Sequence, residues 1–380
     1  MTAAETVMER CDALARFTEE PDRLTRRFGT PALRAASDAV AGWMEEAGLD
    51  TRRDAVGNVV GRRDGDGRTL MLGSHIDTVR DAGRYDGMLG VLVAIECARR
   101  ERPYALEVVA FADEEGVRYG TSYLGSAALA GRFNLAWLER VDADGVPLAD
   151  LLDGPLPPGR DDLAGYVEVH IEQGPRLEAA GVPVGVVTGI VGQAHARIEF
   201  VGRAGHAGTT PMDMRADALC AAAEWILAVE ACGAVATVGM ADVEPGAANV
   251  IPGRVRLSLD VRHHEDAAAI AAALRERAEA IGATRGVAVG WDALDATPPV
   301  ACDPALTEAL AATVAEAGHE IVRLASGAGH DAAMMAAVAP VAMLFVRCAG
   351  GISHHPDESV ATEDVAAAID VLDRFLGRWT

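Results

Sequence analysis

The stretch MLGSHIDTV, residues 71–79, decides how the rest of the chain is read. An apolar run leads into His75 and Asp77, which stand two apart and so project to the same side of an extended strand. A polar pair at the end of such a run falls where α/β sheets bind ligands, at the carboxyl ends of their strands. Taken alone, the pair fits a hydrogen-bonded structural couple as well as a metal-binding histidine held by a carboxylate.

Reading outward gives the architecture. Upstream, Thr30-Pro31 followed by LRAASDAVAGWMEEAG has an N-cap, a proline at the first helical position, an amphipathic pattern and Gly48 as a stop. Downstream come a helical stretch at 87–100, a strand at 106–112, a small-residue helix around 122–130 and a strand at 166–172. This alternation implies an α/β layer built on a largely parallel sheet. The order then changes to strand 195–201, long helix 213–231, strands 236–243 and 254–262, helix 265–281 and strand 287–291, the βαββαβ order of a ferredoxin-like unit. From Pro298 the earlier alternation returns, ending in strand 341–346 and a helix from Glu363. The expectation is an α/β catalytic domain, residues 1–186 and 298–380, with a mixed, largely parallel sheet. It is interrupted at 187–297 by an inserted ferredoxin-like α+β lid or dimerisation domain.

Composition narrows the function. With 57 acidic against 34 basic residues the net charge is −23, and every basic residue is Arg, because the chain contains no Lys. Such a chain presents no basic face for nucleic acid, and an individual Arg says little about function. Six cysteines without a CxxC pair argue against a disulfide scaffold and against a thiolate zinc site. The N-terminus lacks an apolar signal region and no run reaches 18 apolar residues, so a soluble cytoplasmic protein without a membrane partner is expected.

The strand-end pattern repeats. RYDGMLGV sets Asp86 at a glycine-flanked helix start, FADEEGVRYG places Asp113, Glu114 and Glu115 after an apolar strand, and YVEVHIEQG ends in His170, Glu172 and Gln173. GISHHPDE adds His354 and His355 after the last strand. Each has an ordinary explanation, an N-cap for Asp86 or a solvated acidic turn for 113–115. Their recurrence at successive strand ends favours a pair of divalent ions bridged by a carboxylate, a centre that activates water and stabilises an oxyanion.

In this order, GSHIDTV, RYDGMLGV, FADEEGVR, HIEQGP, GRAGHAGTTPM, NVIPG and GISHHP resemble the hydantoinase/carbamoylase branch of the aminoacylase and carboxypeptidase-like metallopeptidases. The resemblance implies His75 and His170 on one metal, Glu115 and His354 on the other, Asp86 as the bridge, Glu114 as general base and Asp77 orienting His75. It also implies a cis peptide at Asp86–Gly87 and His354 rather than His355 as the ligand. His206 would donate to the oxyanion across a homodimer, while Gln173, Asn249 and Arg262 would bind a small anionic ureido substrate, the last two clamping its carboxylate. The cofactors implied are two divalent ions per subunit, manganese first, with zinc or cobalt open. Residues 19–49 and FADEEGVRYGTSYLGSAALAG look most like the allantoate amidohydrolases, although Tyr119 replaces the more usual Phe. Allantoate cleavage to ureidoglycine, carbon dioxide and ammonia is therefore expected, with N-carbamoyl-L-amino acid hydrolysis as the alternative and a dipeptidase or acylase behind it. A metal-stabilised binding protein would leave Glu114 idle. His195, His263, His264 and His319 carry no motif, and His330 in SGAGHDA could line the pocket.

Overall fold

A computed structural model describes residues 1–379. The chain divides into two compact units, Met1–Thr188 with Ala301–Thr380, and Gly189–Val300.

The larger unit is built on a mixed sheet. Its strands run in the order Asp50–Arg53, Val59–Arg63, Tyr104–Phe111, Asp66–His75, Leu163–Ile171, Val341–Val346, Val184–Ile190. The four from Tyr104–Phe111 to Val341–Val346 are parallel, and the pairings flanking them are antiparallel. Their residues are almost all buried, the near-continuous apolar pattern of strands covered on both faces. The helix Pro31–Glu46 starts as its sequence demands, with the Thr30 side chain accepting from the Leu33 N–H. The helix Met88–Ala98 buries every residue except Glu96, so it has no solvent face. Its close approach to the sheet requires Gly90, where a methyl group would come 1.8 Å from the Val169 carbonyl oxygen.

The smaller unit is an antiparallel sheet with strand order Ala241–Glu244, Arg254–His263, Gly192–Val201, Ala288–Thr297, and Val235–Thr237 also pairs with Arg254–His263. This is the ferredoxin-like arrangement with its second strand in two pieces. The strand expected at 236–243 is interrupted at 238–240, where the Met240 N–H donates to the Ser258 hydroxyl in place of a ladder carbonyl. The helix expected from 213 begins at Ala218, since Asp217 caps the Leu219 and Cys220 N–H groups. Helices Ala218–Glu230 and Ala267–Arg285 pack on the sheet through Trp225, whose indole donates to the Leu274 carbonyl at 2.9 Å.

The Asp86–Gly87 peptide is trans; among the described residues only Glu244–Pro245 is cis. The turn is made instead by Gly87 at φ +69°, where a side chain would also strike the His75 ring at 2.5 Å.

Gly90→Ala should lower the denaturation midpoint by the equivalent of ~1–3 kcal/mol, because the added methyl forces the helix off the strand that carries His170. An unchanged urea or thermal midpoint would show that the helix has room to move.

Candidate metal centre

Parallel strand ends deliver the first side chains. His75 ends Asp66–His75, residues 113–115 follow Tyr104–Phe111, and His170 stands one residue before the end of Leu163–Ile171. Leu72 pairs with Val167, and three residues further along each strand stand His75 and His170, their rings 5.6 Å apart. His354 arrives from the turn beyond Val341–Val346 at φ +55°, an uncommon left-handed conformation for a residue with a side chain.

Asp86 lies buried among them. Its Oδ1 is 3.1 Å from His170 Nε2 and 3.6 Å from His75 Nε2, and its Oδ2 is 3.2 Å from His354 Nε2. His354 Nε2 is 3.5 Å from Glu115 Oε1. One carboxylate thus turns an oxygen to each of two ligand groups, His75 with His170 and Glu115 with His354.

The imidazole orientations test whether cations fit. His75 Nδ1 faces the Asp77 carbonyl at 3.2 Å and His170 Nδ1 faces the Ile171 carbonyl at 2.9 Å. A carbonyl can only accept, so in the neutral rings each Nδ1 carries the hydrogen and each Nε2 points a lone pair inward. Those Nε2 atoms are 3.4 Å apart and share Asp86 Oδ1. Two lone pairs and an anionic oxygen so placed repel unless a cation lies among them. A tetrahedral ion with bonds of ~2.0–2.1 Å would space its nitrogens by about 3.3 Å. The donors present fit divalent ions.

Asp77 organises the far side. Its two oxygens accept the backbone N–H groups of Glu114 at 2.9 Å and Glu115 at 3.2 Å, while Oδ1 lies 3.5 Å from His75 Nδ1. Burial, reinforced by the charges of Glu115, Asp331 and Asp77, pushes the Glu114 carboxyl well above its ordinary range against the opposing pull of His75. Burial and the Asp86 charge raise Glu115 to about 7. The hydrogen bond that His354 donates to Asp86 is the main cause that brings His354 to about 9. Burial works against ionisation of Asp86, but its three histidines outweigh that and hold the carboxyl well below the usual range.

A further grouping, Glu168, His170 and His330, is spoken for by hydrogen bonds. Glu168 accepts from Ser74 Oγ at 2.9 Å, Tyr166 OH at 3.2 Å and the Ala332 N–H at 2.9 Å, and His330 Nε2 lies 2.7 Å from Ser326 Oγ. His330 is buried with its ring 4.5 Å from that of His170, so it supports the ligand from behind. His195 is engaged by Asp295 and Asp260, and His355 is exposed beside Asp357.

Several residues around the centre carried no sequence signal. Arg26 is fully buried, donating to the carbonyls of Ile76 and Leu14, each at 2.7 Å, and of Phe17 at 3.1 Å, with Met88 Sδ beside it. It therefore grips the peptide between His75 and Asp77. In a chain whose basic residues are all Arg, nothing marked this one. Glu168 and Glu358 lay within the quoted motifs, where their spacing from His170 and His354 was the available clue.

Gln173 belongs to the centre: its Nε2 donates to Asp86 Oδ2 at 2.9 Å, its backbone is left-handed, and its Oε1 is buried without a partner. In the smaller unit, His206 pairs with Val250 and the Ala207 N–H bonds to the Asn249 carbonyl, so His206 and Asn249 share one exposed loop region. His206 Nδ1 accepts from the Gly208 N–H at 3.0 Å, leaving Nε2 as a donor. Arg262 lies near the opposite end of Arg254–His263, bonded to Asp260 at 3.2 Å. Eight residues of extended strand span about 26 Å. The expected pairing of Asn249 with Arg262 on one carboxylate therefore fails within a single chain, because a rigid strand separates them.

A parallel-centred α/β sheet whose strand ends gather two groups of histidines and carboxylates able to hold metal ions points to a metal-dependent hydrolase. The chain belongs to peptidase family M20/M25/M40, matching it over residues 71–378, and is an enzyme that hydrolyses carbon–nitrogen bonds other than peptide bonds. It is 40% identical to allantoate deiminase of Arabidopsis thaliana, covering 98% of this chain and 82% of that protein. It is 38% identical to N-carbamoyl-L-amino acid amidohydrolase of Geobacillus stearothermophilus, over 98% and 97% of the two chains. A hydantoinase/carbamoylase-family amidase from Burkholderia multivorans superposes with a TM-score of 0.92 at 36% identity, over 98% and 97%.

Cations and protons compete for these donors. With His354 raised to about 9 and Glu115 to about 7, Mn2+ uptake at their site should displace protons, so apparent affinity there should rise by up to about tenfold per pH unit between 7 and 9, more steeply below 7, and level off above about 9. Calorimetry in buffers of different ionisation enthalpy counts the released protons, and pH-independent affinity between 7 and 9 would contradict the assignment.

Proposed function

We propose that the protein hydrolyses a carbamoyl C–N bond of a small anionic ureido compound, with allantoate as the favoured substrate. The observation that carries the reaction type is the buried Glu114 carboxyl, fixed through its backbone by Asp77 next to the two ligand groups that Asp86 joins. Similarity to the allantoate deiminases of Arabidopsis thaliana and Oryza sativa, at 40% and 38% identity, supports the substrate. N-carbamoyl-L-amino acids are the second reading, supported by 38% identity over 97% of the Geobacillus stearothermophilus protein.

In this reading His75 and His170 would hold one ion and Glu115 and His354 the other, with Asp86 offering an oxygen to each pair. Bound there, divalent ions supply Lewis acidity, polarising the carbamoyl oxygen and making water more acidic. Manganese is the ion favoured in this reading, with zinc and cobalt open, since imidazole and carboxylate donors without thiolate suit all three. Glu114 accepts a proton at its carboxylate as the water oxygen bonds to the carbamoyl carbon. It then gives that proton to the departing nitrogen as the C–N bond breaks. His206, with its Nε2–H free to donate, stabilises the oxyanion. Gln173 contacts the ureido group, and Asn249 and Arg262, from different chains, hold the carboxylate. The carbamate released decomposes to carbon dioxide and ammonia; from allantoate the remaining product is ureidoglycine.

Purified protein with Mn2+ should release ammonia from allantoate with a higher kcat/KM than from N-carbamoyl-L-methionine, and chelation should abolish both activities. The reverse preference would replace the substrate, and full activity in excess chelator would overturn the mechanism. Glu114→Gln should retain both ions and lose at least about a hundredfold in kcat.

We further infer a homodimer formed through the inserted unit. The short edge strand Val235–Thr237 and the helix Ala218–Glu230 present exposed Val235, Leu219 and Leu227, an apolar surface beside an open strand edge. His206→Ala and Glu114→Gln chains, each inactive alone, should regain partial activity as verified heterodimers; no recovery would place His206 at its own chain's site or outside catalysis.

A further inference from the structure

Glu358 belongs to neither the ligand set nor the proton transfer proposed above, yet it touches both loops that meet at the centre. It is 3% exposed. Its Oε1 accepts the backbone N–H groups of Tyr85 at 2.8 Å and Asp86 at 3.1 Å, across more than 270 residues of chain. Its Oε2 lies 3.1 Å from Ser353 Oγ, and that hydroxyl is 2.9 Å from Asp86 Oδ2. Its own N–H donates to the His355 carbonyl at 3.0 Å, closing the turn that carries His354. Gly83 leaves just enough space, since a methyl group there would sit 2.3 Å from Glu358 Cβ.

Both loops need a tie. The first turns at Gly87, φ +69°, which glycine adopts freely and does not by itself hold, and the second passes through His354 at φ +55°, a conformation that for a residue with a side chain persists only where neighbours hold it. No regular ladder runs between the two loops; the contacts through Glu358 and Ser353, with the Gln173 amide, join them. A carboxylate with two backbone donors on one oxygen and a hydroxyl on the other fixes position and angle together.

We propose that Glu358 is a positioning residue that sets the spacing between Asp86 and His354, and through it the affinity for the cation that Asp86, Glu115 and His354 share. This rests on the ligand assignment above. Glu358 touches neither that cation nor the substrate; it acts through the Asp86 backbone and the Ser353 hydroxyl.

The test compares Glu358→Gln, Glu358→Ala and Ser353→Ala in the full-length protein by elemental analysis after dialysis, Mn2+ calorimetry and activity titrated with Mn2+. Glu358→Gln should resemble the parent, because an amide oxygen can accept both backbone N–H groups while its NH2 donates to Ser353. Glu358→Ala should keep one tightly held ion and bind the second ten- to a hundredfold more weakly. Its kcat should recover in excess Mn2+ with little change in KM, a pattern that loss of packing alone would not give. Ser353→Ala removes one link without emptying the pocket and should weaken the second ion several-fold, which keeps the proposal testable if Glu358→Ala fails to fold. Two ions bound at parental affinity in Ser353→Ala and in any folded Glu358→Ala would overturn it, as would Glu358→Gln losing the ion as severely as Glu358→Ala. Failure of the parent protein to bind divalent ions would instead remove the ligand assignment.

Discussion

The larger unit is organised around one electrostatic constraint: a single carboxylate, Asp86, faces three imidazoles inside a cluster of buried acids. Asp77, Asp113, Glu114, Glu168 and Asp331 are all shielded from water nearby, whereas Arg26 is the fully enclosed permanent cation. Burying so much negative charge without compensation would cost many kcal/mol. The cluster offsets that cost with backbone N–H groups on Asp77 and Glu168, and burial drives groups such as Asp113 and Asp331 well above the ordinary range, towards their neutral forms. A divalent cation relieves the same imbalance, which makes ligand binding and fold stability two aspects of one balance of charge.

Much of this was legible because the chemistry sits at the ends of regular elements. Strand periodicity locates His75, Asp77, Glu114, Glu115 and His170, and the glycine-flanked turns flag Asp86 and His354; the structure gathers all of them in one unit. The ferredoxin-like order of the inserted segment was readable from alternating helices and strands, whereas the interruption of its second strand was not. Long-range hydrogen bonding was not readable. Arg26 looks like every other basic residue of a lysine-free chain, and Glu358 and Asp331 act through partners far away in sequence. Asn249 and Arg262 mislead in another way: they are close in sequence, but an extended strand carries them apart as no turn would.

The support for the ligands is layered. Each imidazole of the first pair has its tautomer set by a carbonyl within two residues of it, and Asp77 then fixes the backbone that presents Glu114 and Glu115. Strands carry His75 and His170, so the spacing of that pair does not depend on loop mobility. His354 differs, being half exposed and supplied by a turn, so it is the donor whose position most needs outside support.

Arg26 also bears on where the protein can be cut. The residues matching the family begin at 71, yet the peptide joining His75 to Asp77 is gripped by a side chain from residue 26, whose guanidinium also satisfies carbonyls at Leu14 and Phe17. The helix Ala3–Leu14 packs against Met88–Ala98 and the C-terminal helix Thr362–Arg378. A fragment trimmed to the family signature would lose the cation behind Asp77 and open an apolar seam along the buried helix. The first seventy residues are thus part of the framework that holds the centre, and a fragment meant to keep it should include them.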